Sequence, residues 1–234
     1  MSDALRICIG YDQKEAVAFQ VLSHSLLSRA SRPIAIIPVA KQLLRRSYSR
    51  PRVGNESTDF SITRFLSPML CGYEGLGIFM DCDMLCRVDI FEVLREVEQQ
   101  PGKAVWVCQH DYTPKPGVKF LGQPQAAYPM KNWSSFMVFD AGLCRALTPD
   151  YVNAASGMDL HRFHWLPGEN LIGSLPLEWN WLVGEYQPNI HAKVLHYTLG
   201  TPCFENYRRC DHAGLWLQEF YDMVQPMARL ELTV

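Results

Sequence analysis

The chain has 234 residues, 48% of them hydrophobic and 20% charged, a balance that excludes wholesale disorder and suits one packed domain. Its 22 basic and 24 acidic side chains leave a formal charge of −2, without the basic excess of a nucleic-acid binder. No apolar run nears the ~20 residues that span a bilayer, and the opening MSDALRICIG does not read as a secretory signal.

In chain order, an apolar run at 5–9 predicts a strand ending at Gly10, and Ala18, Val21, Leu22 and Leu26 place a helix over 13–28. A second strand is expected at 34–39, a helix over 60–70, and a third strand at 77–80 running straight into Asp81. A helix over 88–99 stops at Pro101-Gly102, and strands follow at 104–108 and 135–139. Residues 111–130, rich in Pro, Gly and Gln, read as a long functional loop. Further strands are expected at 178–183 and 193–197, and a closing helix at 215–224. Strands alternating with helices predict an α/β layered fold with a largely parallel sheet, whose ligands gather at the C-terminal strand ends.

The eight cysteines contain no Cys-x-x-Cys and sit mostly in apolar runs, so reduced core thiols of a cytoplasmic protein are expected. A zinc alternative would join Cys82 and Cys86 to His161 or His164, without the paired spacing of structural sites.

The sharpest chemical feature is Phe79-Met80-Asp81-Cys82-Asp83. Alternate residues of an extended chain face the same way, about 7 Å apart along the backbone, so the two carboxylates can converge. At ~4 Å they would repel by ~4 kcal/mol at an effective dielectric of 20. Such a site holds a cation or a proton, and a divalent ion such as Mg²⁺ or Mn²⁺ suits oxygen ligands and bridges to phosphates. A second apolar run, Val194-Leu195-His196, offers a histidine as third ligand, which would favour Mn²⁺, and Gly200 lets backbone approach a phosphate. Arg64 can fork onto a diphosphate or lock Asp81 in place. The basic cluster Lys41, Arg45, Arg46, Arg50 and Arg52 reads as a solvated face, a flap over a diphosphate, or a dock for an anionic acceptor or a membrane surface. Trp133, Trp165, Trp179 and Trp181 are either core packing or flat faces for sugar rings.

Together these features resemble the family 8 glycosyltransferases, retaining nucleotide-sugar-dependent enzymes with the GT-A fold. ICIGYDQKEAVAFQVLSHSL is similar to that family's first strand and nucleotide loop, which implies that Gly10, Tyr11 and Asp12 hold the uracil and ribose. TRFLSPML resembles the helix carrying the diphosphate-side arginine, here Arg64, and FMDCDML the metal motif, so the resemblance gives Asp81 and Asp83 metal roles and sets Cys82 beside the ribose. SSFMVFD is similar to the strand lining the donor sugar, with Ser134 and Ser135 facing it. HYTLG resembles the late His-x-x-Gly region, with Gly200 one residue late, and Glu169-Asn170 resembles the donor-side acidic or amide pair. Glu169 would stabilise charge at the anomeric carbon, act as nucleophile, or simply start a helix. Where the family often stacks an aromatic on the base this chain has Glu15, so Tyr11 would substitute. Where a lysine and tryptophan usually follow the late glycine it has Thr201-Pro202-Cys203-Phe204, so the diphosphate grip would pass to Arg64, Lys119 or Lys131.

The resemblance implies a Mn²⁺-dependent hexosyltransferase, with Mg²⁺ as the alternative ion, moving sugar from a UDP-sugar to a saccharide, glycan or lipid-linked hydroxyl. It implies one GT-A-like domain over 1–234: a nucleotide-binding half to about 110, a donor and acceptor half over 111–210, and a closing helix over 211–234. Two alternatives stand beside it. One is a haloacid-dehalogenase-like phosphatase with Asp81 as nucleophile; the other is a non-catalytic nucleotide-sugar-binding protein.

Overall fold

The computed structural model describes residues 4–51, 56–114, 122 and 129–230, with side chains to 225. Lys119, Arg52 and most of the 111–130 loop lie outside the described residues. The central sheet contains β1 (Leu5–Tyr11), β2 (Ile34–Ala40), β3 (Leu76–Met80), β5 (Val105–Cys108), β6 (Phe136–Asp140) and β7 (Ile172–Leu175), in the order β2-β1-β3-β6-β5-β7. Pairing is parallel for β1 with β2 and β3 and for β5 with β7; β6 alone runs against its neighbours. A second, small sheet has the order β4-β9-β8, from β4 (Met84–Cys86), β8 (Trp181–Leu182) and β9 (Val194–His196). The fold is therefore the expected α/β type with a largely parallel sheet.

Buried β-branched and aromatic residues such as Ile7, Ile9, Ile78, Phe79, Val105, Val107 and Phe136 make the sheet strands apolar on both faces, the pattern of a sheet covered by helices. The helix α1 (Ala16–Leu27) buries Leu22 and Leu26 in that main core. Its Val21 joins Leu85, Leu195, Tyr197 and Trp216 in a second apolar cluster under the small sheet. The last helix there is α6 (Ala213–Leu230), longer at both ends than the 215–224 read from the pattern and within the 211–234 segment implied by the resemblance. No helix among the described residues is long and apolar enough to cross a membrane.

Several expected boundaries move. The helices foreseen over 60–70 and 88–99 are each a 3-10 turn followed by a short α-helix, α2 (Ser67–Leu70) and α3 (Leu94–Glu98). Pro68 suits the first turn of α2, where its missing N–H has no helical partner to lose. Residues 178–183 split into a 3-10 turn, Leu177–Asn180, and β8. β4 and β7 were not foreseen, nor were α4 (Pro149–Ala154), capped by Thr148, and α5 (Gly157–His161), capped by Ser156.

Candidate functional site

β3 ends at Met80, and the next residues turn out of the sheet toward β4. The Asp81 N–H donates to Ser135 O at 2.9 Å, which ties this turn to the start of β6. β4 pairs antiparallel with β9, setting Met84 opposite His196. Asp81, Asp83 and His196 thus meet, 113 residues and two sheets notwithstanding in the case of His196 (196 − 83), with ligand atoms all within 4.8 Å of one another. His196 is 2% exposed and Asp83 8%. His196 Nε2 lies 3.3 Å from Asp83 Oδ1. Two carboxylate oxygens and an imidazole nitrogen form a donor set that can hold a divalent metal ion. The zinc alternative fails: Cys86 Sγ bonds Val88 O, His161 bonds Ser134, and His164 bonds Asp159.

Arg64 comes from the 3-10 turn Thr63–Leu66 and is buried. Its Nη1 lies 2.8 Å from Asp81 Oδ1 and donates to Ser134 O at 2.9 Å, while Nε donates to Ser61 O at 3.2 Å. The guanidinium stands 5.1 Å from the Phe79 ring and 5.5 Å from that of Phe60. Of the two roles open to it, the structure shows the lock on Asp81.

The other expected residues fall into three groups. At the end of β1, Gly10 packs against the Phe60 ring, so closely that a Cβ would sit 2.4 Å from it. Asp12 accepts from Lys14 N at 2.9 Å and Asp59 N at 3.1 Å, clamping this loop to the turn before Arg64. Tyr11 is half-buried, edge-on to Phe19. It also lines a cavity of about 640 Å³ with Lys41, Arg45, Tyr48, Arg50 and Asp59, so three of the five clustered cations face a pocket. Burial pushes the Tyr48 phenol up to about 12, keeping it a hydrogen-bond donor.

A second group is turned inward. Cys82 is fully buried, and burial followed by the carboxylates of Glu15, Asp83, Asp81 and Asp12 holds its thiol well above the ordinary range. The Ser134 hydroxyl lies 2.8 Å from His161 Nδ1, and burial, then the Arg64 charge, depresses that imidazole to about 3. The Ser135 hydroxyl donates to Asn132 O at 2.6 Å. Gly200 has φ +150° and sits where a Cβ would be 2.4 Å from the Tyr207 ring, so both backbone and packing require glycine. Lys131 is buried, as are Trp165 and Trp179, while Trp133 and Trp181 are half-buried.

Glu169 and Asn170 form the third group, and the structure does not bring them to the acidic pair. Both are exposed, in the 3-10 turn Glu169–Leu171 that enters β7. Ile172 is level with Val105, Val105 with Phe139, and Phe139 with Gly77, the opposite end of the sheet from Asp81. Their place was inferred from motif order along the chain, and β7 intervenes.

Two residues near the site had no sequence signal. Asn180 is fully buried and its Oδ1 lies 2.9 Å from His196 Nδ1. His110 lies beside Tyr186, with Nδ1 2.8 Å from the phenol oxygen, and is 5% exposed; burial above all depresses it to about 3.

The α/β architecture with its largely parallel central sheet is that of the GT-A fold. Among solved structures, the chain is similar to the bifunctional glycosyltransferase WbbM, at 15% identity and TM-score 0.56 over 94% of this chain and 50% of that one. It is similar to the glycosyltransferase GlyE of Streptococcus pneumoniae TIGR4, at 10% identity and TM-score 0.61 over 98% of this chain and 64% of that one. It is also similar to the galactosyltransferase LgtC in complex with donor and acceptor sugar analogues, at 10% identity and TM-score 0.55 over 93% and 96%. The chain thus spans half the length of WbbM and 64% of GlyE. No protein-family model matches it. Protein CDI of Arabidopsis thaliana is 43% identical over 223 residues, 92% of this chain and 85% of the other, and the chain belongs to the same family as that protein.

Proposed function

We propose that the protein is a metal-dependent glycosyltransferase of the family 8 kind, moving a hexose from a UDP-sugar to a saccharide, glycan or lipid-linked hydroxyl with retention. The observation that carries this reading is the convergence of Asp81, Asp83 and His196 at the C-terminal edge of a GT-A sheet. Two carboxylates and an imidazole suit Mn²⁺, with Mg²⁺ the weaker fit. When bound, the ion would offset the negative charge that develops on a departing diphosphate.

The chain's own residues do the rest. Arg64 holds Asp81 in its ligating position and, by neutralising one carboxylate, lowers the cost of bringing Asp83 close. The nucleotide occupies the cavity beside Tyr11, where Lys41, Arg45 and Arg50 attract an anion and Tyr48, Ser49 and Gln42 offer hydrogen-bond donors. Gly10 and the Asp12 clamp hold that wall in place before the nucleotide arrives. We read the chain as one catalytic domain of the cytoplasm, where its eight free thiols stay reduced. The phosphatase alternative is not favoured, because the Asp81 carboxylate required as its nucleophile is engaged by Arg64 and the similar folds are glycosyltransferases.

The test is Asp83→Ala. Mn²⁺ titration followed by electron paramagnetic resonance should show loss of the bound ion, and UDP release from a UDP-sugar panel should fall at least ~1000-fold, with the circular dichroism unchanged. Wild-type ion binding in the variant would overturn the metal assignment.

A further inference from the structure

We propose that Asn180 is a positioning residue that selects the tautomer of His196 and so aims its Nε2 lone pair at the metal position; this rests on the metal reading above. The argument starts one residue further out. Ser135 Oγ lies 2.6 Å from Asn132 O, a carbonyl that can only accept, so the single hydroxyl hydrogen of Ser135 is committed there. Asn180 Nδ2 lies 2.9 Å from the same Ser135 Oγ and 3.2 Å from Asn132 O. Both neighbours are acceptors toward Asn180, so the amide must present its NH₂ to them and its oxygen to His196. An amide oxygen has no hydrogen to give. The 2.9 Å contact between Asn180 Oδ1 and His196 Nδ1 therefore requires the proton on Nδ1.

With its Nδ1 proton held by Asn180, the ring can release only a proton on Nε2, and the lone pair so exposed faces Asp83 Oδ1 at 3.3 Å. Without that proton the two atoms form no hydrogen bond with each other. They become mutually favourable when a cation lies between them. The network thus fixes a ring nitrogen as a ligand rather than a donor, the job that outer partners of metal-bound histidines perform.

Burial makes the arrangement stiff. Asn180 is 0% exposed, Ser135 1% and His196 2%, so water does not compete for these bonds. The Asn132 carbonyl that anchors the chain belongs to a left-handed residue, φ +63°, whose own side-chain amide donates to Tyr112 Oη at 2.8 Å. Ser135 also serves the first ligand, since its carbonyl accepts the Asp81 N–H. One short segment, 132–135, therefore sets the backbone of Asp81 and the ring of His196 together.

The test compares wild type, Asn180→Ala and Ser135→Ala, first without metal and then in Mn²⁺. Long-range ¹⁵N–¹H correlation spectra of the metal-free wild type should show His196 protonated at Nδ1, and Asn180→Ala should move the proton toward Nε2. Mn²⁺ affinity should fall roughly 10- to 100-fold in Asn180→Ala, and about threefold in Ser135→Ala, which keeps the amide but frees its NH₂. Thermal melts and circular dichroism identify a variant that fails to fold, in which case Ser135→Ala decides. An Nδ1 proton and Mn²⁺ affinity unchanged in the folded variants would overturn the role of Asn180. A wild type that binds no divalent ion would instead overturn the metal reading, and with it the purpose assigned to the tautomer.

Discussion

Where α1 meets α6, the Glu219 carboxylate receives Arg29 Nη2 at 2.6 Å on one oxygen and His24 Nδ1 at 2.6 Å with Arg29 Nη1 at 3.1 Å on the other. In the turn between β3 and β4, the Arg64 guanidinium pairs with Asp81, Asp83 faces His196, and the imidazole turns its Nδ1 proton away toward Asn180. Both corners are built from Asp or Glu, Arg and His, and both carboxylate sets are largely buried. The first is a structural contact, in which both Glu219 oxygens receive donors from Arg29 and His24. The second brings two carboxylates and a ring nitrogen within 4.8 Å of one another, a donor set that can take a cation. Residue composition does not separate a salt bridge from the metal site proposed above; on that reading, the count of carboxylates and the ring nitrogen turned toward them do.

Breaking each corner should show this difference. Arg64→Ala should have the largest effect on stability, about 3 kcal/mol, because it leaves the Asp81 carboxylate, whose side chain is only 14% exposed, without this counter-charge; urea unfolding measures it, and added Mn²⁺ should restore part of the loss. If the loss were under 1 kcal/mol, the guanidinium would not be compensating the acidic pair.

Acid sharpens the comparison next. His110, next to the open corner, has a folded pKa of about 3, below the ordinary unfolded value of ~6.5. The unfolded chain therefore binds the extra proton first as pH falls, so this contribution is complete above pH ~6.5 and shrinks steadily toward pH 3. Between pH 6.5 and 5 His110 alone should cost roughly 2 kcal/mol, seen as a falling urea midpoint, and His110→Phe should flatten that slope.

Glu219→Ala should be the mildest of the three, about 1–2 kcal/mol, because Arg29 and His24 are each about one-third exposed and can turn to water. Its Mn²⁺ affinity should match wild type, and a matching loss of metal affinity would mean that the two corners are coupled.

How far these corners could be read in advance differs by residue. Asp81 and Asp83 were legible because their period of two coincides with a strand end, and His196 because it closes an apolar run. Both signals are local. Asn180 was not legible: it lies in Trp179-Asn180-Trp181, inside a stretch that read as strand, and its partners are 16 and 45 residues away. The parallel partnership of β7 with β5 was equally hidden, since parallel pairing joins distant segments and leaves no turn to betray it. That hidden strand is also what carried Glu169 and Asn170 to the far end of the sheet. The layered architecture survived these omissions because the buried β-branched runs of the first half already required a covered, mostly parallel sheet.

The reversal of β6 has one more consequence. At the edge where its neighbours finish, β6 begins, so the residues that shape this edge arrive on an incoming segment instead of a departing one. The carbonyls of Asn132, Ser134 and Ser135 meet the functional corner before the chain enters the sheet. The segment 129–135 thus shapes the corner without belonging to the sheet that carries it, so exchanges there alter the corner while the frame behind it stays as it is.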